Sequence, residues 1–197
     1  MPSEVQFDNA LEAFDRYNSN DPNKEYVNGQ LVPKELLYAQ RMTCRLLKYF
    51  PEAPAYLQLA ARGQHIGRWE IARSQYPLDK KGYFQWRNKL NEHHAEIVER
   101  ILKNLEFGFQ EIEKIKSLIK KKELATSPDT QVLEDVVCLV FLEYYCEAFA
   151  AKHDNEKVVD ILRKTMKKMS EKAIRAVADI SLSNKIKSMI YEASSGS

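Results

Sequence analysis

The sequence predicts an all-α fold, and three observations carry that prediction. Apolar residues recur at the 3.6-residue spacing of one helix face, and no segment shows the strict apolar–polar alternation of a half-buried strand. The 197-residue chain contains only 6 glycines, so few positions favour the tight turns of a β-rich protein. Because this length usually corresponds to one domain, we expect a single helical domain over residues 1–192 and a flexible tail over residues 193–197.

The first four helices follow from apolar faces and from proline positions. The polar run NSNDPN ends the first helix, whose apolar face is marked by Phe7, Leu11, Phe14 and Tyr17. Pro33 opens the second helix, and Pro51 follows its end. The next two helices are expected over about residues 55–71 and 83–105.

The second half of the chain shows the same periodicity. EFGFQEIEKIKSLIKKKEL places Ile112, Ile115 and Ile119 on one face, and its lysine-rich end suits the negative end of a helix dipole. TSPDTQVLEDVVCLVFLEYYCEAFAAKH is the most apolar segment, so we expect it at the centre of the helical bundle. One or two further helices follow from Asn155, with a restart near Ser170.

Charge and composition exclude several classes of protein. Lys and Arg number 30 against 28 Asp and Glu, which gives a formal net charge of +2. This net charge does not indicate RNA binding, so any RNA-binding surface would have to be a local basic one. No apolar run reaches the roughly 18 residues that span a bilayer, and the acidic start lacks a secretory pattern. We therefore expect a cytoplasmic or nuclear protein without membrane contact. The three cysteines lack zinc-knuckle spacing and are expected as reduced thiols.

Two of the predicted helices bury polar side chains. On the fourth helix, His94 falls among apolar neighbours and His93 lies at their margin, so His94 should be the more buried. A buried imidazole is most often a core residue that donates to a carbonyl or a carboxylate. On the apolar segment, Glu134 and Asp135 project into the interior or along its edge. Each of these carboxylates then requires a cation, a metal ion or strong hydrogen bonds.

The segment LAARGQHIGRWEIARSQYP supplies cationic and imidazole groups. Helical spacing places one polar and aromatic stripe along it: Gln58, Arg62, His65 and Trp69. Gly63 and Gly67 flank this stripe and lower its helix propensity, which indicates the close approach of another backbone or of a ligand. One interpretation is structural: Arg62 neutralises Glu134 or Asp135, and the glycines permit a tight helix crossing.

The functional interpretation joins these segments at one divalent metal ion. His65, His94 and either Glu134 or Asp135 would supply nitrogen and oxygen ligands to Mn²⁺, Zn²⁺ or Mg²⁺. Water held by such a metal is a nucleophile at neutral pH. Basic side chains nearby would hold phosphate oxygens, namely Arg68, Arg73, Lys80, Lys81 and Arg87. The alternative is that this loop is an exposed basic surface with nothing bound.

Several phrases of the sequence resemble a known family. They are LYAQRMT, LAARGQHIGRWEIARSQYP, GYFQWR, HHAEIV, QVLEDVVCLVFLE and ILRKTMKKMS. Over nearly its whole length the chain is similar to the uncharacterised family catalogued as domain of unknown function 4202. That resemblance brings no established activity with it.

More distantly, the chain resembles the HD-domain metal-dependent phosphohydrolases, which are all-α proteins. This likeness implies an HD-like helical core. It places Gln64 and His65 where those enzymes have a His-Asp pair, His94 at a later histidine, and Asp135 at the late aspartate. The departures are Gln64 itself and the helix expected to carry the first histidine, which offers Gln40 and Arg41. A remodelled pocket that binds a phosphorylated or nucleotide-like ligand without metal is the other form that the resemblance allows, through Arg41, Arg62 and Arg68.

The sequence thus predicts hydrolysis of a phosphate ester in a nucleotide or a related phosphorylated metabolite. The predicted metal ligands are His65, His94 and Asp135, with Glu134 as general base and Arg62 as the other catalytic residue. The predicted substrate-binding side chains are Arg41, Arg68, Trp69, Arg73 and Arg87. The alternative is a non-catalytic module that binds an anionic ligand, RNA or a partner protein in the same pocket.

Overall fold

The computed structural model describes residues 2–121 and 127–195. Helices dominate these ranges, which confirms the predicted all-α class. The chain divides into two compact units, Met1–Thr130 and Gln131–Ser197. The single domain over residues 1–192 stays a prediction. Within the described ranges, no helix is both long enough and apolar enough to cross a lipid bilayer.

The first unit is built from five helices and one small sheet within its described residues. The helices are α1 (Glu4–Asn18), α2 (Lys34–Tyr49), α3 (Ala55–Arg62), α4 (Lys80–Asn104) and α5 (Phe109–Ile119). The short α3 is apolar on most of its surface, so it packs against α1, α2 and α5, while α4 packs against α1 and α5. Leu57 and Leu59 of α3 are fully buried, as are Leu90 and Val98 of α4, and all four belong to the core. Such burial supplies most of the free energy of folding.

A β-hairpin precedes α2, and the sequence reasoning missed it. Strands β1 (Lys24–Val27) and β2 (Gln30–Pro33) pair antiparallel. Asn28 and Gly29 form the turn with φ values of 50° and 82°. An Asn-Gly pair tolerates these angles and is the strongest local hairpin signal. Strands of four residues are too short to display a clear alternation, which explains the omission.

The helix expected over residues 55–71 is shorter than predicted. It ends at Arg62, and the chain then turns through Gly67, whose φ is 68°. A residue in this left-handed conformation cannot continue a right-handed helix. A 3-10 turn follows over Arg68–Glu70 and another over Arg73–Gln75. The polar stripe is therefore not one face of a helix, because Gln58 and Arg62 lie on α3, His65 lies in the following turn and Trp69 lies in the first 3-10 turn.

The second unit contains the apolar segment and the C-terminal helices. Its elements are α6 (Pro128–Val140, which begins in the first unit), a π-helical turn (Phe141–Tyr145), α7 (Cys146–Ala150), α8 (Asn155–Met166), α9 (Glu171–Ala176), a 3-10 turn (Val177–Asp179) and α10 (Asn184–Ser195). Helix α8 packs against α10 and α7. Three helices therefore follow Asn155 rather than one or two. Of the tail expected at 193–197, residues 193–195 belong to α10, and 196–197 lie outside the described residues.

Candidate functional site

Two imidazoles come together in the first unit. His65 lies in the turn after α3, and His94 lies on α4. Their ring centroids are 5.8 Å apart. Tyr38 of α2 stacks on His65, with centroids 4.0 Å apart and ring planes inclined by 10°. The structure thus brings together the two histidines that the sequence singled out, and it adds an aromatic ring that the sequence reasoning did not place there.

His94 is buried, as its helical position predicted, and His93 is the more exposed of the pair. The Nδ1 atom of His94 lies 2.6 Å from the carbonyl oxygen of Ile66. A carbonyl oxygen only accepts hydrogen bonds, so Nδ1 carries the proton and Nε2 presents a lone pair. Within the described residues, this buried Nε2 has no hydrogen-bond partner. Burial lowers the pKa of His94 to about 3, so the ring is neutral at physiological pH.

His65 is also neutral, but its side chain retains 17% exposure to solvent. Burial lowers its pKa well below the ordinary value, and the charge of Arg68 lowers it further. Its Nδ1 atom lies 3.5 Å from Oε2 of Glu35, which is long for a hydrogen bond. His65 is therefore the member of the histidine pair that solvent or a ligand reaches.

Glu35 is the carboxylate of this site, and the sequence reasoning missed it. It lies in the first turn of α2, where the Asp21 carboxylate accepts its backbone N–H at 2.9 Å. Burial raises the pKa of Glu35 to about 7, against the opposing effect of Arg68. A signal was present in the sequence. Glu35 shares the helical spacing of the buried face of α2, which is formed by Tyr38, Ala39, Met42, Arg45 and Leu46.

Arg68 provides the positive charge next to the imidazoles. Its Nε atom lies 3.8 Å from Oε1 of Glu35, and its guanidinium lies 4.8 Å from the ring centroid of Trp86. The side chain is 23% exposed. Its Nη1 atom is nevertheless buried and has no hydrogen-bond partner within the described residues. An arginine keeps its charge in a protein, so this is a cationic donor without an acceptor.

These side chains form one group, which we call the His65 cluster: Glu35, Tyr38, His65, Arg68, Trp86 and His94. Arg87 and Lys121 lie near enough that their charges also lower the pKa of His65. The cluster therefore contains two neutral imidazoles, one carboxyl group that titrates near neutrality, and a surplus of positive charge. Such a field favours an anion over a cation.

The two glycines explain how the cluster is held against α4. A Cβ atom on Gly63 would lie 2.8 Å from Cγ2 of Val98, and one on Gly67 would lie 2.5 Å from Cδ1 of Ile97. The sequence indicated the close approach of a backbone or a ligand, whereas the nearest atoms are side-chain atoms of α4. Because the chain passes so near this helix, His65 and Arg68 on either side of the turn lie beside His94.

The guanidinium of Arg62 is paired with a carboxylate of α1. The guanidinium of Arg62 donates to both oxygens of Asp15, at 2.7 and 2.5 Å. This two-bond geometry is the strong form of an arginine–carboxylate pair. The interpretation that Arg62 neutralises Glu134 or Asp135 is therefore wrong.

Three other predicted substrate-binding residues have neighbours of their own. Arg41 forms an ion pair with Glu25, its Nη2 atom lying 2.8 Å from the carboxylate. Trp69 packs against Tyr17 with ring centroids 6.0 Å apart. Arg73 donates to the Tyr76 carbonyl oxygen at 2.9 Å, and its guanidinium lies 5.9 Å from the ring centroid of Trp86. Their roles in substrate binding stay predictions.

The acidic pair is buried, as predicted, and belongs mainly to structural contacts of the second unit. Asp135 accepts from the backbone N–H of Ser170 at 2.8 Å, from its hydroxyl at 2.6 Å, and from the Gln131 side chain at 2.9 Å. Glu134 lies 3.4 Å from Nζ of Lys168. Asp135 thus fixes Ser170, the N-cap of α9. The catalytic role of Glu134 and the metal-binding role of Asp135 stay predictions.

A metal ion has no ready ligand set in the part of the chain that the structure describes. No three His, Cys, Asp or Glu side chains there form a group able to hold one cation. At the His65 cluster, burial lowers the pKa of both imidazoles, and the charge of Arg68 lowers it further. The same positive charge repels a divalent cation. The residues present there fit an anion better than a metal.

Comparison with known proteins gives one match. Neither the curated proteins nor the solved structures contain a match to this chain. A family model described as "Domain of unknown function (DUF4202)" matches residues 8–190, a range that contains every member of the His65 cluster and the acidic pair of α6. The chain therefore belongs to the DUF4202 family.

Proposed function

We propose that this protein binds a phosphorylated metabolite at the His65 cluster. One observation carries the proposal: the buried Nη1 of Arg68 has no acceptor within the described residues. A buried cationic donor without an acceptor costs free energy. A phosphate oxygen would satisfy it, because guanidinium groups match phosphate geometry and charge.

The charge around the cluster supports the same ligand. Arg68, Arg87 and Lys121 all act on His65, whereas Glu35 is the carboxyl group that faces Arg68. Because the pKa of Glu35 is raised to about 7, its negative charge is only partly present at neutral pH. The exposed fractions of His65 and Arg68 give a ligand a route to both.

Hydrolysis of the bound phosphate ester is the second candidate, and a specific observation favours it. Glu35 titrates near neutrality next to the neutral His65, and general acid–base catalysts work best with a pKa close to the working pH. In this form of the proposal, Glu35 donates a proton to the leaving oxygen or accepts one from water. Metal-assisted hydrolysis through His65, His94 and Asp135 is the form that the sequence predicted.

Calorimetric titration with inorganic phosphate and with pyrophosphate tests the binding proposal. Wild-type protein should bind pyrophosphate, and Arg68→Gln should weaken binding by about tenfold or more, because a charge-assisted hydrogen bond of this kind contributes about 1.5–3 kcal/mol. Arg175→Gln is the matched control, since Arg175 is exposed and lies in the second unit. Circular dichroism melts establish that both variants fold. The proposal fails if wild type binds neither anion, or if Arg68→Gln binds as well as wild type.

Phosphatase assays separate binding from hydrolysis. With phosphate monoesters as substrates, wild-type turnover and its loss in Glu35→Gln would support the second candidate. The assays are run with a chelator and, separately, with added Mn²⁺, Zn²⁺ or Mg²⁺. Turnover that needs an added ion would show that hydrolysis is metal-dependent, and turnover that survives the chelator would show that it is not. Binding of pyrophosphate without turnover under any of these conditions would leave the binding function alone.

A further inference from the structure

Two exposed aromatic rings stand at the start of α4. Tyr83 is 46% exposed and Phe84 is 52% exposed, although both are large apolar side chains. Their ring centroids are 5.7 Å apart in an edge-to-face arrangement. We call this pair the aromatic step. Two exposed aromatic rings in contact form an apolar surface patch, and contiguous patches of this kind occur at ligand-binding surfaces.

The aromatic step is continuous with the His65 cluster. The Tyr83 ring lies 6.1 Å from the Trp86 ring, centroid to centroid, and the guanidinium of Arg68 lies 4.8 Å from the same Trp86 centroid. Trp86 is fixed in place because its indole N–H donates to the Ile71 carbonyl oxygen at 3.0 Å. A molecule whose phosphate contacts Arg68 therefore has an aromatic surface beside it.

The backbone under the aromatic step is tightly fixed. Asp79 caps α4 by accepting the Gly82 N–H at 2.7 Å. A Cβ atom on Gly82 would lie 2.2 Å from the Pro77 carbonyl oxygen, so only glycine allows this approach. Arg73 ties the preceding loop together by donating to the Tyr76 carbonyl oxygen. A preorganised aromatic surface binds a flat ring at a low entropy cost.

From this arrangement we infer that the phosphorylated ligand is a nucleotide whose base stacks on one ring of the aromatic step. This inference rests on the proposed phosphate binding and adds the chemical class of the ligand. Every nucleobase has a flat π-face that stacks on Tyr or Phe, whereas a sugar phosphate has none. A free nucleotide fits better than an RNA strand, because the chain carries a net charge of only +2.

Binding constants for three probes test the inference. The probes are inorganic phosphate, ribose 5-phosphate and adenosine 5′-monophosphate. For wild type, adenosine 5′-monophosphate should bind about fivefold or more tightly than ribose 5-phosphate, because stacking of a base on an aromatic side chain contributes at least that factor. The double variant Tyr83→Leu/Phe84→Leu should bring the two affinities together and leave the affinity for inorganic phosphate unchanged.

A matched control and a fourth probe make the outcomes distinct. Phe109→Leu removes a ring that is 75% exposed elsewhere in the first unit, and it should alter none of the affinities. If no phosphate-bearing probe binds, the phosphate proposal fails, and the nucleotide inference fails with it. If ribose 5-phosphate binds as tightly as adenosine 5′-monophosphate, or if the double variant keeps the preference, the inference alone is overturned. Tighter binding of a single-stranded RNA octamer than of the mononucleotide would also overturn it.

Discussion

The two compact units differ in how their buried polar atoms are hydrogen-bonded. In the second unit, three donors surround the carboxylate of Asp135, from Ser170 and Gln131. In the first unit, Nη1 of Arg68 and Nε2 of His94 are buried and lack partners within the described residues. Native proteins satisfy nearly all buried polar atoms, so the contacts of Asp135 are typical of a structural group, and the two atoms without partners mark the place where we propose that a ligand binds.

The largest expected effect comes from breaking the structural group. Asp135→Ala removes the acceptor of three donors and the support of the α9 N-cap, so we expect a loss of about 4 kcal/mol in the free energy of unfolding. Urea denaturation measures it. Asp135→Asn is the control, because it keeps an acceptor oxygen and should lose less. If Asp135→Ala costs under about 1 kcal/mol, the group is not structural.

The second effect sharpens the comparison through pH. The pKa of Glu35 is raised from 4.5 to about 7 on folding, so the folded state holds its proton more tightly than the unfolded state. The contribution of Glu35 to the free energy of unfolding is therefore fully present below pH 4.5. It is lost as the pH rises to about 7, by about 3 kcal/mol in total. Glu35→Gln should remove this fall.

Denaturation of wild type and Glu35→Gln at several pH values measures this prediction. The groups that act on Glu35 are Arg68, Lys34 and Asp21, with His65 beside it. The lowered pKa of His94 makes both proteins less stable in acid, so the difference between them isolates Glu35. Parallel stability profiles from pH 4.5 to 7 would contradict the assigned burial of this carboxyl group.

A smaller effect tests how the first unit positions its cluster. Gly67→Ala places a Cβ at positive φ and against Ile97, so we expect a loss of about 2 kcal/mol. Gly29→Ala is the matched control, because Gly29 also has a positive φ but has nothing within 4 Å of its ideal Cβ. It should lose about 1 kcal/mol, from the backbone conformation alone. Equal losses, measured by thermal unfolding, would show that the approach to α4 is not tight.

Local sequence patterns predicted much of the fold. Helical spacing located α1, α2, α4 and the apolar segment, and it placed His94 and the acidic pair inside. It failed for the hairpin, because two four-residue strands give too little alternation. It also overextended α3, because the left-handed conformation of Gly67 depends on its contact with α4 and not on the helix pattern around it.

The site was harder to predict, because its contacts join distant parts of the chain. The pairing of His65 with His94 spans two elements, and no local spacing joins them; only their shared chemistry and the distant HD-domain resemblance did so. Glu35 lies in the first turn of α2, where an acidic residue is ordinary because it interacts with the helix dipole. Its position therefore gave no reason to expect burial. The Asp135 carboxylate finds Ser170 35 residues away, and no local spacing indicates such a partner.

The most direct test of phosphate binding is an NMR titration of the histidine side chains with inorganic phosphate at pH 7. The chain has four histidines, and His153 provides an internal control, because it lies in the second unit beside Phe149. We predict that the imidazole signals of His65 and His94 shift to saturation, whereas those of His153 stay in place. Signals of His65 and His94 that do not move, or that move only in parallel with those of His153, would contradict the account.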